Sequence, residues 1–317
     1  MNEIKDQRVL EYIKEMTRIE FTDLVNGGLH PMHLKNGLPF GIIRGQEYYT
    51  IENNRLNVKK IPAKAPATGI FALTHDGKGN LFGASALGQT IFKYNIKTGN
   101  YENSSMVGER VGPAFIRPHT RSVIGADNNI WTGWWANYGT YGGCISRINT
   151  KTNKVDSWPS SVEKQAVNSI VAGVKYIYYT TGKNGNGLDS LDCVPSIVAV
   201  NYDGEFVKKI DYLFGTKLGN LLTIDNKLLL CLHGKTVVYD EELNEVKTIN
   251  ISSNMMLAYD KETALFFADS KARFVNIEKG TIYKEYDIGP GYVSAAVIVD
   301  KDNIFYSKKT KLYQLMV

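Results

Sequence analysis

The chain reads as an all-β protein, a seven-bladed β-propeller with a short N-terminal helix, and three observations lead there. From about Phe21 onward, short runs rich in Val, Ile, Tyr, Phe and Thr are bounded by Gly, Asn, Asp or Lys-Thr turns. One hairpin recurs, in which an apolar strand meets a polar turn and is followed by a more polar strand. Its turns fall roughly 35 to 55 residues apart, which is the size of one four-stranded blade and too long for one coil of a β-helix.

The hairpin is legible at 48–58, 91–101, 145–155, 197–206, 237–246 and 274–282. Further apolar pairs precede it, at 69–74 with 80–83, 122–125 with 129–132, 221–224 with 227–230 and 295–298 with 303–306. Each unit is therefore a four-stranded meander. The last one ends on 311–317, a third strand with no partner after it. An unpaired edge is a liability, so a segment around 19–25 is expected to supply the missing outer strand and close the seventh blade. Six or eight blades stay open, because the 255–289 unit is short and the repeats are uneven. Ahead of the strands, Ile4, Val9, Leu10, Tyr12, Ile13 and Met16 recur at mostly helical spacing among charges, predicting an amphipathic helix within 1–18. The division is thus a helix at 1–18 and one propeller at 19–317.

Hydrophobic content of 43% supports a sizeable core, and charged content of 22% argues against disorder. The net charge of +5 is spread along the chain rather than gathered in a basic stripe, so no nucleic-acid partner is expected. Cys144, Cys193 and Cys231 are odd in number and widely spaced, which suits free thiols better than a disulfide framework or a zinc site. The N-terminal residues lack the apolar core of a signal peptide, and no run approaches the roughly 18 apolar residues of a membrane helix. A cytoplasmic protein without a membrane partner is the expectation.

In a meander, the connection between second and third strands and the loop leading into the first strand lie at the same end. Two such connections are long, 133–143 and 181–195, and long loops on one side usually carry binding. The first holds Trp134, Trp135, Tyr138 and Tyr141 among glycines, an aromatic set suited to stacking on sugar rings or another flat ligand. Trp134 could equally pack between blades, but at least two of the four should line the mouth. The loops leading into the first strands add Arg117, His119 and Arg121 from 112–121, and His30 and His33 from 28–33. His233 ends a second strand on the same side, whereas His75 falls at the opposite end as a turn residue. Such a set could ligate a metal, act as acid and base, or hold an anion.

The segment 127–132 followed by 145–155 resembles blades of the virginiamycin B lyase-like and YVTN propellers, and 148–158 looks like the tryptophan-docking repeat of quinoprotein propellers. The likeness is at the level of single blades from about residue 37 onward, and it implies the fold. Lyase members of that group use a His and Glu pair with magnesium, and no matching pair can be placed on any unit here. The docking repeat occurs once, with Asn153 in place of the usual Gly, so no quinone is expected, while a divalent metal stays open. No nucleophile elbow, zinc-protease motif or phosphate loop stands in a credible context, and 184–189 lacks the acidic alternation of a calcium loop.

Three readings remain. One is a binding propeller presenting its loop-rich face, with Trp134, Trp135, His30, His33, Arg121 and His233, to a carbohydrate-like or small polar ligand. Another is a lyase or hydrolase on a saccharide or related metabolite, with His119 and Arg117 as acid/base and anion-stabilising groups and Tyr138 or Tyr141 as proton donor. The last is a scaffold for a protein partner.

Overall fold

The computed structural model describes residues 7–10, 30–33, 39–43, 47–52, 55–61, 70–76, 78–85, 90–107, 115–118, 122–212, 220–308 and 311–317. The chain divides into two compact units, Met1–Pro62 with Ser252–Val317, and Ala63–Ile251. Among the described residues every regular element is a strand.

The first unit opens with β1 (Gln7–Leu10), followed by β2 (His30–His33), β3 (Pro39–Ile43), β4 (Glu47–Glu52) and β5 (Arg55–Lys60), the last four forming one sheet in that order. The second unit holds four sheets. They are β6 (Ile70–His75) to β9 (Tyr101–Met106), with β7 (Asn80–Ser85) and β8 (Thr90–Asn95) between them, and then β10 (Phe115–Pro118), β11 (Val123–Ile124), β12 (Ile130–Ala136), β13 (Gly143–Ile148) and β14 (Val155–Pro159). The next is β15 (Ala166–Ala172), β16 (Tyr176–Gly182), β17 (Ser196–Asn201) and β18 (Phe206–Asp211). The fourth is β19 (Asn220–Ile224), β20 (Lys227–Cys231), β21 (Thr236–Asp240) and β22 (Glu245–Ile249). The chain then returns to the first unit with β23 (Met255–Ala258), β24 (Thr263–Ala268), β25 (Lys271–Asn276) and β26 (Thr281–Asp287), and ends in β27 (Ala295–Ile298), β28 (Asn303–Lys308) and β29 (Lys311–Met316).

Side chains are described across most of six of these sheets, whereas the sheet β2 to β5 is described mainly as backbone. Six sheets are described with their side chains, and the expectation of seven blades is met only as an all-β propeller. The N-terminal helix is a correction. Within the predicted helical span, Gln7–Leu10 is a strand that pairs antiparallel with β29, Gln7 opposite Leu315 and Leu10 opposite Leu312. A four-residue segment has too few turns for helical spacing to outweigh an open strand edge. A strand from the N-terminal segment does complete the last sheet, but it is β1, and the segment 19–25 lies outside the described residues.

Neighbouring residues of the strands enter different cores, which explains the unbroken apolar runs. In β16, Tyr178 joins a cluster with Ile197, Leu228, Leu230 and Leu243, while Tyr179 joins one with Trp131, Ile145, Val167 and Val198. In β12, Trp131 and Trp134 divide in the same way, the latter packing with Phe82, Ile91 and Phe115. A sheet buried on both faces cannot alternate apolar with polar residues. Each large ring buried there contributes roughly 1.5–3 kcal/mol relative to exposure.

The hairpin turns between third and fourth strands repeat one device. The Asn149 side-chain oxygen accepts the backbone N–H groups of Lys151 and Thr152, both at 3.0 Å, and Asn95 does the same for Lys97 and Thr98. Asn201 accepts from Asp203 and Glu205, Asp240 from Asn244, and Asn276 from Lys279. A left-handed residue closes each turn: Gly99, Asn153, Gly204, Leu243 or Gly280. Asn153, at φ 57°, is among the few residues that tolerate this region, so replacing the Gly of the tryptophan-docking repeat leaves the turn intact.

Trp158 stacks on Trp131 with ring centroids 5.4 Å apart, and the Arg147 guanidinium lies over both rings. Arg147 also donates to the Tyr202 carbonyl at 2.5 Å and to Asp156 at 2.8 Å. Gly204, at φ 80°, lies beneath this stack, and a Cβ there would stand 2.1 Å from the Trp158 ring. Gly204→Ala is expected to lower stability by about 2 kcal/mol, from left-handed strain together with a displaced ring. Urea denaturation followed by tryptophan fluorescence measures it.

In the first unit, Glu285 on β26 takes ionic hydrogen bonds from Lys271 and, at 2.7 Å, from Arg273. Those bonds, Lys271 first, hold its carboxyl below the ordinary glutamate value. A carboxyl depressed in the folded state stabilises above its unfolded pKa, and that contribution fades as pH falls through the folded pKa. Acid unfolding of Glu285→Gln should therefore show a shallower loss of stability below about pH 4 than the wild type, and a smaller stability at neutral pH. Buried Lys308 donates to the carbonyls of Ile288 (2.5 Å), Gly289 (2.6 Å) and Pro290 (3.2 Å), tying down the connection from β26 to β27. Burial pulls its pKa below the usual lysine value.

Candidate functional site

Tight turns occupy one end of each meander in the second unit, and the other end carries the long connections. The first of these is shorter than the sequence predicts, because β12 runs on to Ala136 and leaves 137–142 as the loop. The second runs from 183 to 195, since β16 extends through Gly182. The two loops dock on each other. Asn186, 5% exposed, donates from Nδ2 to the Ala136 carbonyl at 2.7 Å, while its own carbonyl accepts the Gly139 N–H at 2.9 Å. The Tyr141 hydroxyl donates to the Asp189 carbonyl at 2.9 Å. At the base of the longer loop, buried Gln165 donates to the Val194 carbonyl at 2.9 Å and accepts from Thr181 Oγ1, which in turn accepts the Ser196 N–H at 2.8 Å. The Gln165 amide and the Thr181 hydroxyl are both partnered, so the loop is anchored rather than draped.

The aromatic set divides. Trp134 is fully buried, with its Nε1 donating to Ser146 Oγ at 2.8 Å, and belongs to the core. This corrects its place in the ligand-binding set, and period-two alternation along β12 is the reason. Trp135 is half-buried and donates from Nε1 to the Val167 carbonyl (3.1 Å) and to Asn168 Oδ1 (2.9 Å). Tyr138 is 68% exposed at the loop tip, and Tyr141 is half-buried beside it.

The remaining predicted residues are not gathered into one described site. Arg117 lies within β10, opposite Trp135 in register, rather than in a loop. His30 and His33 likewise lie within β2, opposite Ile42 and Pro39. His119 and Arg121 lie outside the described residues. His233 is exposed in the turn between β20 and β21, and His75 ends β6 before the tight turn at Asp76. Among the described residues no group of three or more His, Cys, Asp or Glu side chains could hold a metal ion. The three cysteines are free, Cys144 and Cys231 buried and Cys193 half-buried. No helix among the described residues is long and apolar enough to cross a membrane.

Two contributors escaped the sequence reading. Asn186 carried one signal, a lone Asn between Gly185 and Gly187 in a long connection. Asn168 carried none, because it owes its position to a β-bulge between Val167 and Ser169. Asn186→Ala is expected to cost about 1–3 kcal/mol, since it leaves the buried Ala136 carbonyl unsatisfied. Hydrogen exchange reads it locally, as faster exchange of the Gly139 amide.

No protein-family model and no curated protein matches the chain. Solved structures do. A catalytically inactive virginiamycin B lyase from Staphylococcus aureus with quinupristin is 14% identical at a TM-score of 0.67, covering 98% of this chain and 99% of that chain. A streptogramin B lyase is 12% identical at a TM-score of 0.68, covering 98% and 96%. The β-propeller domain of Myceliophteria thermophila Cps50 (Swd1) is 8% identical at a TM-score of 0.62, covering 92% and 97%. At such identities the likeness shows the fold and no activity, and the chain has the all-β fold of a β-propeller, with the virginiamycin B lyase propellers among its structural neighbours.

Proposed function

We propose that the loop end of the second unit binds a carbohydrate-like or small polar ligand on the surface built by the docked loops 137–142 and 183–195. The observation that supports this is the anchoring itself. A buried asparagine and a satisfied glutamine-threonine base hold a solvent-facing tyrosine, Tyr138, on a fixed platform beside Tyr141. A loop backbone fixed in advance loses little further freedom when a ring on it stacks, which is how preorganised aromatic sites gain affinity. The described charges on the longer loop are mixed, Lys183 with Asp189 and Asp192, and do not favour a strongly charged ligand.

Lyase chemistry on a saccharide or related metabolite is the second reading, favoured by the fold likeness to two lyases. In it Tyr138 or Tyr141 supplies the proton, with Arg117 and His119 as partners. A thermal-shift screen of neutral sugars, uronates and divalent ions tests both readings, because a ligand that binds only the folded state raises Tm. Binding predicts that at least one sugar stabilises the wild type and that Tyr138→Ala abolishes this shift while leaving the unliganded Tm within about 1 °C, as for an exposed surface change. A lyase predicts, in addition, an unsaturated product absorbing in the ultraviolet, lost in His119→Ala.

A further inference from the structure

Asn168 stands on β15, the first strand of its sheet, at the bulge where Val167 faces Thr181 and Ser169 faces Thr180. Its side chain is oriented by two constraints. The Trp135 indole nitrogen can only donate, so the amide atom facing it at 2.9 Å must be the oxygen. The amide nitrogen then lies over the backbone of Gly182, where a Cβ would approach Nδ2 to 1.7 Å, so only glycine permits this placement. The result is a half-buried amide whose acceptor is used and whose two N–H donors meet no acceptor among the described residues.

Beside it, Ser169 and Thr180 are cross-strand partners, which places their hydroxyls on one face of the sheet. Thr180 Oγ1, opposite Ser169, is fully buried without a hydrogen-bond partner among the described residues, and so lies out of a ligand's reach. Asn168 and Ser169, both half-buried and uncharged, thus hold hydrogen-bonding capacity unspent among the described residues, at the strand that borders the docked loops.

We propose that Asn168, with Ser169, is the specificity-determining floor of the site, taking the hydroxyl or ring oxygens of a neutral sugar or polyol. This rests on the binding reading above and names its ligand class. An uncharged amide donor and a hydroxyl match alcohol oxygens, and without a cationic partner they gain nothing from a carboxylate that must be desolvated to reach them.

The test is a titration of isotopically labelled protein with xylose, glucose and galacturonate separately, following the Asn168 side-chain amide by NMR alongside the Tyr138 loop amides. A neutral sugar should shift the Asn168 side-chain signals, and Asn168→Leu should weaken its binding on the order of tenfold, the value of about one hydrogen bond. Galacturonate should bind more weakly than either neutral sugar. Reading the wild-type amide directly keeps the test valid even where the variant folds poorly. Shifts confined to the Tyr138 loop, with affinity unchanged in Asn168→Leu, overturn the floor and leave the binding reading standing. Preference for galacturonate overturns the ligand class. Absence of any shift with all three sugars overturns both.

Discussion

A four-stranded meander keeps its register only if the hairpin between its third and fourth strands closes at a fixed residue, and here one side-chain oxygen enforces that closure repeatedly. Asn95, Asn149, Asn201, Asp240 and Asn276 each fold back onto the backbone N–H groups that follow, and a left-handed residue completes the turn. A slip of one residue would turn every apolar side chain of the strand onto the other face. Because inner strands such as β16 and β17 pack on both faces, with different clusters on either side, such a slip would mismatch two cores at once. The turn oxygen and the two-sided packing therefore support the same register, and the agreement of local and tertiary preferences is what makes a repeat foldable.

Leu243 illustrates how firmly packing can override backbone preference. It occupies the left-handed position that Gly or Asn fills in sister turns, at φ 58°, yet it is 3% exposed within the cluster of Tyr178, Leu228 and Leu230. The strain of an L side chain there, of order 1–2 kcal/mol, is offset by burial of a leucine worth roughly 1.5–3 kcal/mol. With one end of each meander committed to such closures, the connections at the other end are free to lengthen, and in the second unit two adjacent ones have done so and docked.

The repeat was legible because apolar runs ending in Asn or Asp turns leave a local signature, and all six hairpins read from the sequence appear as strand pairs. The misreadings arise where tertiary context decides. Gln7–Leu10 sits in a stretch with helical spacing and becomes a strand because β29 offers it an edge. Gly133 to Ala136 looks like the start of a glycine-rich aromatic loop, yet pairing with Gly143 and Cys144 extends β12 through it and buries Trp134. The bulge that presents Asn168 depends on how 166–172 pairs with 176–182, which no short window of sequence encodes.

The same distinction bears on what kind of chemistry the site can perform. An acid/base site concentrates titratable groups whose surroundings move their pKa values toward the working pH. The described part of the loop end instead concentrates amides, hydroxyls and rings: Gln165, Asn168, Ser169, Thr180, Asn186, Tyr138. The amides and aliphatic hydroxyls among them recognise through the geometry of their donors and acceptors. The strongly perturbed groups of the second unit are buried tyrosines and Cys144, all pushed upward by desolvation and so held neutral, which suits packing rather than proton transfer. A catalytic reading must therefore draw its partners from beyond these groups, Arg117 on β10 among them, whereas recognition of a neutral ligand can proceed with the described groups as they stand.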